Sequence, residues 1–458
     1  MTHVDAIIIG AGQAGPPLAG RLTAAGMTVA FFERHLFGGT CVNTGCMPTK
    51  TLVASAYAIH LARRGADFGF VTDGPVGVDM PRVKARADAV TLKARSGVEK
   101  SLRAMKGCTV VPAHARFEDA NRVRVGHEVF SAPRIFINVG ARAIVPDIPG
   151  VRDVPFLTNT SMLALDRVPD HLVVVGGSYI GLEFAQMYRR FGAKVTIVEK
   201  GPRLIGREDE EISDAIAEIV SAEGIAVRTN ATCISLAPDD DGVRVGVDCT
   251  DGAPAVSGSD VLLAVGRQPN THDLGLDRAG VTVDERGYII VDDTLATNVP
   301  GIWALGDCNG RGGFTHTAYN DFEIVAANLL DSAERRVSDR ISAYALYIDP
   351  PLGRVGLTEA QARAAGHAIL IGRRPMSKVG RAIEKGETQG LMKIVVDAHT
   401  RKMLGAAILG TGGDEAIHGV LDMMHARVTY DVLQNAVPIH PTVSELIPTM
   451  LGDLRPPE

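Results

Sequence analysis

The sequence predicts an α/β chain with two similar three-layer folds, each a parallel sheet between helices, followed by a smaller α+β domain. Three observations predict it. A short apolar run, Asp5–Ile9, leads at once into Gly10-Ala-Gly12-Gln-Ala-Gly15 and a helical stretch. The same order of elements begins again at His171, and beyond about residue 341 strand-like segments surround helices without any such turn. The length of 458 residues corresponds to about three domains.

In the first copy the strand Asp5–Ile9 is apolar from Ala6 onward, as a buried parallel strand requires. Gly10 makes the tight turn, Gly12 lets backbone approach a pyrophosphate, and Gly15 permits close helix–strand packing. The following helix directs N–H groups and its positive dipole end at the phosphates. Pro16 and Pro17 fall in its first turn, where a missing N–H costs little. A second strand, Thr28–Phe32, ends on Glu33, placed to take ribose hydroxyls. A glycine-rich turn alone is a weak signal, but this one recurs. His171–Val175 leads into Gly176-Gly177-Ser178-Tyr179-Ile180-Gly181, and strand Lys194–Val198 ends on Glu199. Both acids stand 23 residues after the first glycine of their turn. These are two Rossmann-like dinucleotide folds. Ser178 stands where the middle glycine belongs, leaving less room for the backbone-to-phosphate approach. Glu199 favours a free 2′-hydroxyl, hence NADH over NADPH, although Lys200 and Arg203 lie nearby. Each copy closes on an apolar strand and a glycine, Arg134–Gly140 and Val261–Gly266. The first copy carries the longer insertion, and a cysteine segment lies in it.

That segment is Gly38-Gly39-Thr40-Cys41-Val-Asn-Thr-Gly45-Cys46-Met-Pro-Thr-Lys50. In a regular helix five residues rise about 7.5 Å, and a disulfide wants its Cα atoms closer than about 7 Å. A bond between Cys41 and Cys46 therefore needs a distorted turn, and Gly45 supplies the backbone freedom. A metal clip or two unrelated buried thiols are the alternatives. Metal sites more often add a second ligand pair elsewhere, which is not seen, so no metal site is expected. Cys108, Cys233, Cys249 and Cys308 are scattered and read as packing residues.

The net charge of −6 argues against nucleic acid or an anionic membrane as the main partner. No apolar run approaches a membrane span and the N-terminus lacks the basic start of a signal peptide, so a cytoplasmic location is expected. There, stable structural disulfides are rare and catalytic ones the usual exception.

Further on, Gly266-Arg267-Gln-Pro-Asn270 forms a turn, and Ala304-Leu-Gly306-Asp307 ends a strand. Asp307 is either a helix cap or a ligand of a ribityl hydroxyl. Phe314–Leu330 reads as a helix, and Ile417, Val420, Leu421 and Met424 form one apolar helix face in the C-terminal domain. Near the end, His440 lies between Ile439 and Pro441, and Thr442-Val-Ser-Glu445 is a capping-box pattern that alone would make Glu445 structural.

Together these residues resemble the pyridine nucleotide-disulfide oxidoreductases, the group that contains lipoamide dehydrogenase, glutathione reductase and mercuric reductase. The resemblance covers essentially the whole chain. It rests on the two glycine turns, Gly-Gly-Thr-Cys41-x₄-Cys46-x₃-Lys50, Gly266-Arg267-x-Pro-Asn270, Gly306-Asp307 and His440-Pro-Thr-x-x-Glu445. It implies an FAD-binding domain at 1–149 with a return at 270–340, an NAD(P)-binding domain at 150–269, and a dimerisation domain at 341–458. FAD is expected on Gly10, Gly12, Gly15, Glu33, Gly39, Thr40, Lys50, Ala115, Gly140, Asp307 and Thr315, and the nicotinamide nucleotide on Gly176–Gly181, Glu199 and Gly266. Electrons from NADH are expected to reach a Cys41–Cys46 disulfide by way of FAD and pass to a small disulfide or metal-ion acceptor. Cys46 is expected on the flavin side and Cys41 toward solvent and substrate. His440, oriented by Glu445, is expected to move the thiol proton in the partner subunit of a homodimer, and Lys50 to pair with Glu183 near the flavin. A Thr442 cap is expected to coexist with this role.

Within the group, the Met47–Val53 and Phe314–Glu323 segments resemble the oxidative-stress flavin disulfide reductases, which are similar to mercuric reductase and can reduce metal ions such as copper. Mercuric reductases resemble this chain less at two points: they carry a C-terminal cysteine pair and a tyrosine where His440 stands. A dihydrolipoamide dehydrogenase is the alternative that His440, Glu445 and Glu199 also fit. Mercuric reductase proper, and a flavoprotein whose role is binding alone, complete the range.

Overall fold

The computed structural model describes residues 1–457 except 233, 241 and 248–253, so Cys233 and Cys249 lie outside the described residues. The chain forms two compact units.

The first unit comprises Met1–Thr51, Pro81–Ile144 and Gly266–Arg340. Its centre is a five-stranded parallel sheet in the order Ile302–Ala304, Ile135–Ile137, Ala6–Ile9, Val29–Phe32, Cys108–Val111. Ala6 to Ile9 are buried on both faces, as an unbroken apolar run demands. The order reverses between Ala6–Ile9 and Ile135–Ile137, and such a switch point is where open α/β sheets bind ligands. Helices Gly15–Ala24 and Thr315–Leu330 contribute Leu18, Leu22, Phe322 and Val325 to one core cluster with Ile8, Phe31 and Phe136. Pro16 and Pro17 occupy the opening positions of the first of these helices, as expected. A 25-residue helix, Met80–Ala104, was not anticipated from the sequence. Nor was the four-stranded sheet that joins Thr2–His3 to the strands Arg116–Asp119, Arg122–Val125 and Glu128–Ser131.

The second unit comprises Leu52–Met80, Val145–Val265 and Ile341–Glu458. It contains a four-stranded parallel sheet in the order Ala226–Arg228, Lys194–Val198, His171–Val175, Asp260–Leu263, with its own reversal beside His171–Val175. It also contains a five-stranded antiparallel sheet in the order Ala343–Leu346, Leu352–Gly356, Met403–Leu409, Leu391–Asp397, Ile369–Pro375. The Gly413–His425 helix buries Ile417 and Val420 in a cluster with Val355, Ile394 and Ile408 and leaves Leu421 and Met424 half-buried. Among the described residues no helix is long and apolar enough to cross a membrane.

Candidate active site

In the first unit the glycine turn is held by close backbone packing. Gly10 has φ +105°, and a Cβ there would stand 2.3 Å from the Asn138 carbonyl oxygen. A Cβ on Gly15 would meet the Gly10 oxygen at 2.5 Å, and one on Gly39 would meet Gly12 Cα at 2.8 Å. The first glycine turn and the start of the cysteine segment thus touch backbone to backbone. Glu33 closes the turn: its Oε2 accepts the Ala11 N–H at 2.8 Å and its Oε1 the His35 N–H at 2.7 Å.

The cysteine segment bends where Gly45 allows it. Gly39–Asn43 is helical, the chain breaks at Thr44 and Gly45, and a new helix starts on Cys46 and runs to Arg63. Asn43 donates to the Phe37 and Gly39 carbonyls, both at 2.9 Å, and Arg95 donates to Asn43 Oδ1 at 2.6 Å. Cys41 and Cys46 are both thiols, within hydrogen-bonding reach of one another. The bond to Cys46 and burial push the Cys41 thiol far up, against the pull of Thr315 and Lys50. Cys46 Sγ lies 3.3 Å from Thr315 Oγ1, at the start of the Thr315–Leu330 helix. Cys41 is half-buried and Cys46 exposed. Cys41 lies within the Gly39–Asn43 helix, and Cys46 opens the next helix at the bend.

Arg267 gathers the rest of this site. It donates to the Ala141 carbonyl, to Thr40 Oγ1 at 3.4 Å and to Asp307 Oδ2 at 3.2 Å. Burial pushes the Asp307 carboxyl up, while Arg267 pulls it down. The Gly306–Asp307 turn is set from below by buried Asp321, which accepts the Gly306 N–H at 2.8 Å and Asn309 Nδ2 at 2.9 Å and pairs with Arg340. Gly140 (φ +65°) receives the Asn270 N–H at 3.0 Å, and Ala115 is buried behind the sheet edge. Gly266 (φ +137°) opens the third segment of this unit. Arg267, Asn138, Asn43, Arg95 and Asp321 escaped the sequence reading as site residues. For Arg267 and Asn138 the signal was their place beside motif glycines.

In the second unit Gly176 has φ +112°, and a Cβ there would meet the Ala264 oxygen at 2.5 Å. A Cβ on Gly181 would meet the Gly176 oxygen at 1.9 Å. Ser178 has φ −100°, an extended backbone that any residue adopts, and it precedes the Tyr179–Phe191 helix. Glu199 accepts the Gly177 N–H at 2.5 Å and the Gly201 N–H at 2.7 Å. Glu183 is buried on that helix and accepts the Tyr347 N–H at 3.1 Å. Arg203 is occupied by Glu210 and Asp214, each at 3.0 Å.

His440 Nδ1 lies 2.8 Å from Glu445 Oε2, with the imidazole 80% exposed and the carboxylate 14%. The expected capping box does not form. Thr442 Oγ1 donates to the Ile439 carbonyl at 2.7 Å, the helical turn begins only at Ser444, and the Glu445 carboxylate is turned to the histidine. Cys308 is buried and Cys108 half-buried, with thiols pushed up by burial to about 12 and about 11, which fits packing roles.

The pyridine nucleotide-disulphide oxidoreductase family model matches residues 4–321, and the model of that family's dimerisation domain matches residues 342–451. The chain belongs to the pyridine nucleotide-disulphide oxidoreductases. It is 37% identical over 453 residues to the probable pyridine nucleotide-disulfide oxidoreductase RclA of Escherichia coli K12, covering 97% of this chain and 98% of that protein. It is 34% identical to the mercuric reductase of Streptomyces lividans (97% of this chain, 95% of that one) and 32% to the dihydrolipoyl dehydrogenase of Thermus scotoductus (97% and 96%). A solved structure described as the Cu(II) complex of the HOCl-induced flavoprotein disulfide reductase RclA matches 99% of both chains, with TM-score 0.89 and 35% identity. This pyridine nucleotide-disulphide oxidoreductase is thus an FAD-dependent enzyme. Its family implies FAD and a pyridine nucleotide as cofactors, and its dimerisation domain points to a homodimer.

Proposed function

We propose that the protein takes electrons from NADH and delivers them, through the Cys41–Cys46 pair, to a small disulfide or to a metal ion such as Cu(II). The observation that carries this reading is the bent cysteine segment, which brings two thiols together and sets Cys46 beside Thr315. The residues fit FAD. The glycine turn offers backbone that a Cβ would block, and Arg267 Nε is buried without a partner beside Asp307 and Thr40. Gly10, Gly12, Gly15, Glu33, Gly39, Thr40, Lys50, Ala115, Gly140, Asp307 and Thr315 would hold it, in a domain formed by 1–149 and 270–340. Bound FAD supplies a two-electron relay between nicotinamide and disulfide.

The protein's own groups do the rest. Gly176–Gly181 and Glu199 bind the dinucleotide in a domain of about 150–269, with Gly266 at its edge. Cys46, at two helix N-termini, carries the thiolate that faces the flavin. Cys41, whose thiol is held protonated, attacks the acceptor only after losing its proton, and His440 of the partner subunit, oriented by Glu445, accepts and returns it. Glu199 supports NADH, and the engagement of Arg203 with two carboxylates leaves that cation poorly placed for a 2′-phosphate. A turnover screen with lipoamide, glutathione disulfide, Cu²⁺, Hg²⁺ and quinones tests the acceptor. Rapid turnover of lipoamide alone would replace this reading with that of a dihydrolipoamide dehydrogenase.

A further inference from the structure

The second glycine turn has a cation beside it that lies outside its glycine-and-acid fingerprint. The segment after Glu199 is tied to the turn: the Ile205 N–H donates to the Gly177 carbonyl at 2.8 Å, and Leu204 fills the space where a Gly177 Cβ would point. Two residues on, the Arg207 guanidinium lies 5.7 Å from the ring centroid of Tyr179 and 5.8 Å from that of Tyr344. Tyr179 is the first residue of the Tyr179–Phe191 helix. Tyr344 is fixed in turn, since its hydroxyl donates to the buried carboxylate of Glu208, which faces Arg354 at 3.7 Å.

Two neighbouring arginines are spent. Arg203 is paired with Glu210 and Asp214, and Arg354 is buried against Glu208 and Asp209. Arg207 is exposed, and among the described residues no ion pair forms to it. An exposed arginine ordinarily samples many rotamers, whereas two aromatic faces hold this one in place. The place is the first turn of the helix that follows the glycine turn, where N–H groups and dipole already favour an anion. Ser178, in the middle-glycine position, narrows the backbone approach to phosphate, and a planar guanidinium offers two parallel N–H donors instead.

We infer that Arg207 is a dinucleotide-contacting residue, its guanidinium preset by Tyr179 and Tyr344 to take the pyrophosphate of the reduced pyridine nucleotide. This rests on the reading of Gly176–Gly181 as the nucleotide turn. The test is anaerobic rapid mixing of the FAD-loaded dimer with NADH, reading the apparent Kd and the limiting rate of flavin reduction. Arg207→Ala should raise the Kd for NADH about tenfold while the limiting rate and the KM for the acceptor stay within about twofold. Arg207→Lys should recover part of the loss, and added salt should shrink the gap between wild type and Arg207→Ala. Tyr344→Phe, which keeps the ring but not the hydroxyl, should leave the Kd near that of wild type. An Arg207→Ala protein that melts lower but binds NADH as wild type does overturns the inference and leaves Arg207 a structural stacking group. A wild-type flavin that neither NADH nor NADPH reduces overturns the underlying nucleotide reading instead.

Discussion

The Glu199 carboxylate closes the second glycine turn by accepting the Gly177 N–H at 2.5 Å, while its other oxygen accepts the Gly201 N–H at 2.7 Å. Glu33 makes the same two contacts in the first turn, to the N–H groups of Ala11 and His35. Each acid therefore braces its turn besides standing where a ribose would be read. The two roles are separable by substitution, because bracing needs only an acceptor and repulsion of a 2′-phosphate needs a charge.

Glu199→Gln keeps one acceptor oxygen and removes the charge. Its preference for NADH over NADPH, measured as the ratio of kcat/KM values, should fall by about tenfold, a change of about 1.4 kcal/mol. Glu199→Ala should show the same relaxation and also lose about 1–3 kcal/mol of stability, because two N–H groups lose their acceptor. A wild-type enzyme that prefers NADPH would falsify the assignment of Glu199.

The thiol pair gives a spectroscopic prediction. The hydrogen bond that Cys41 donates to Cys46, together with burial, raises the Cys41 thiol well above its ordinary range, so on the proposed reading the thiolate of the pair is carried by Cys46. A raised thiol pKa keeps the neutral form to higher pH. The long-wavelength thiolate–flavin band formed on NADH titration should thus persist into alkaline solution. Cys41→Ser should retain such a band and lose acceptor turnover, whereas Cys46→Ser should lose both. A band that survives in Cys46→Ser sinks the assignment.

The His440–Glu445 pair should act in one half of the cycle only. Its contact at 2.8 Å and the protonated state of Cys41 both point to proton transfer at the interchange step. His440→Ala should slow acceptor reduction by about 10²–10⁴-fold. Flavin reduction by NADH, followed by stopped flow, should be unchanged. Equal slowing of both halves would mean that His440 supports the fold or the dimer rather than the proton transfer.

Much of this was legible in the sequence because each motif couples a backbone requirement to a residue type. Gly10 and Gly176 carry the positive φ values that their turns demand, and the bend that the Cys41–Cys46 spacing required falls at Thr44 and Gly45. The Met80–Ala104 helix was harder to see. Its inward face is Ala87, Thr91, Val98 and Leu102, a helical spacing built from small or polar side chains among many charges. Asp321 and Arg95 act through contacts distant in sequence, to Gly306 and Asn43 respectively, and no local pattern marks such residues. At Thr442 a strong local pattern was overruled, because the Glu445 carboxylate that would complete the box is taken by His440.

Asp321 provides the last prediction, one about how the flavin site is held. Its side chain is 3% exposed, and it joins the Gly306 N–H, Asn309 Nδ2 and the Arg340 guanidinium, itself 13% exposed. Removing one partner of a buried pair leaves the other charge uncompensated, at a cost of about 3–5 kcal/mol. Asp321→Ala should therefore lower the melting temperature clearly, and it should loosen the Gly306–Asp307 turn that Arg267 meets from the other side. FAD content, read as the ratio of flavin to protein absorbance after gel filtration, should fall with it. Asp321→Asn keeps acceptors for Gly306 and Asn309 but not the charge for Arg340, so it should retain more FAD than Asp321→Ala while still melting early. If Asp321→Ala melts early yet keeps its full complement of FAD, the turn does not depend on Asp321 and is held by the Arg267–Asp307 contact alone.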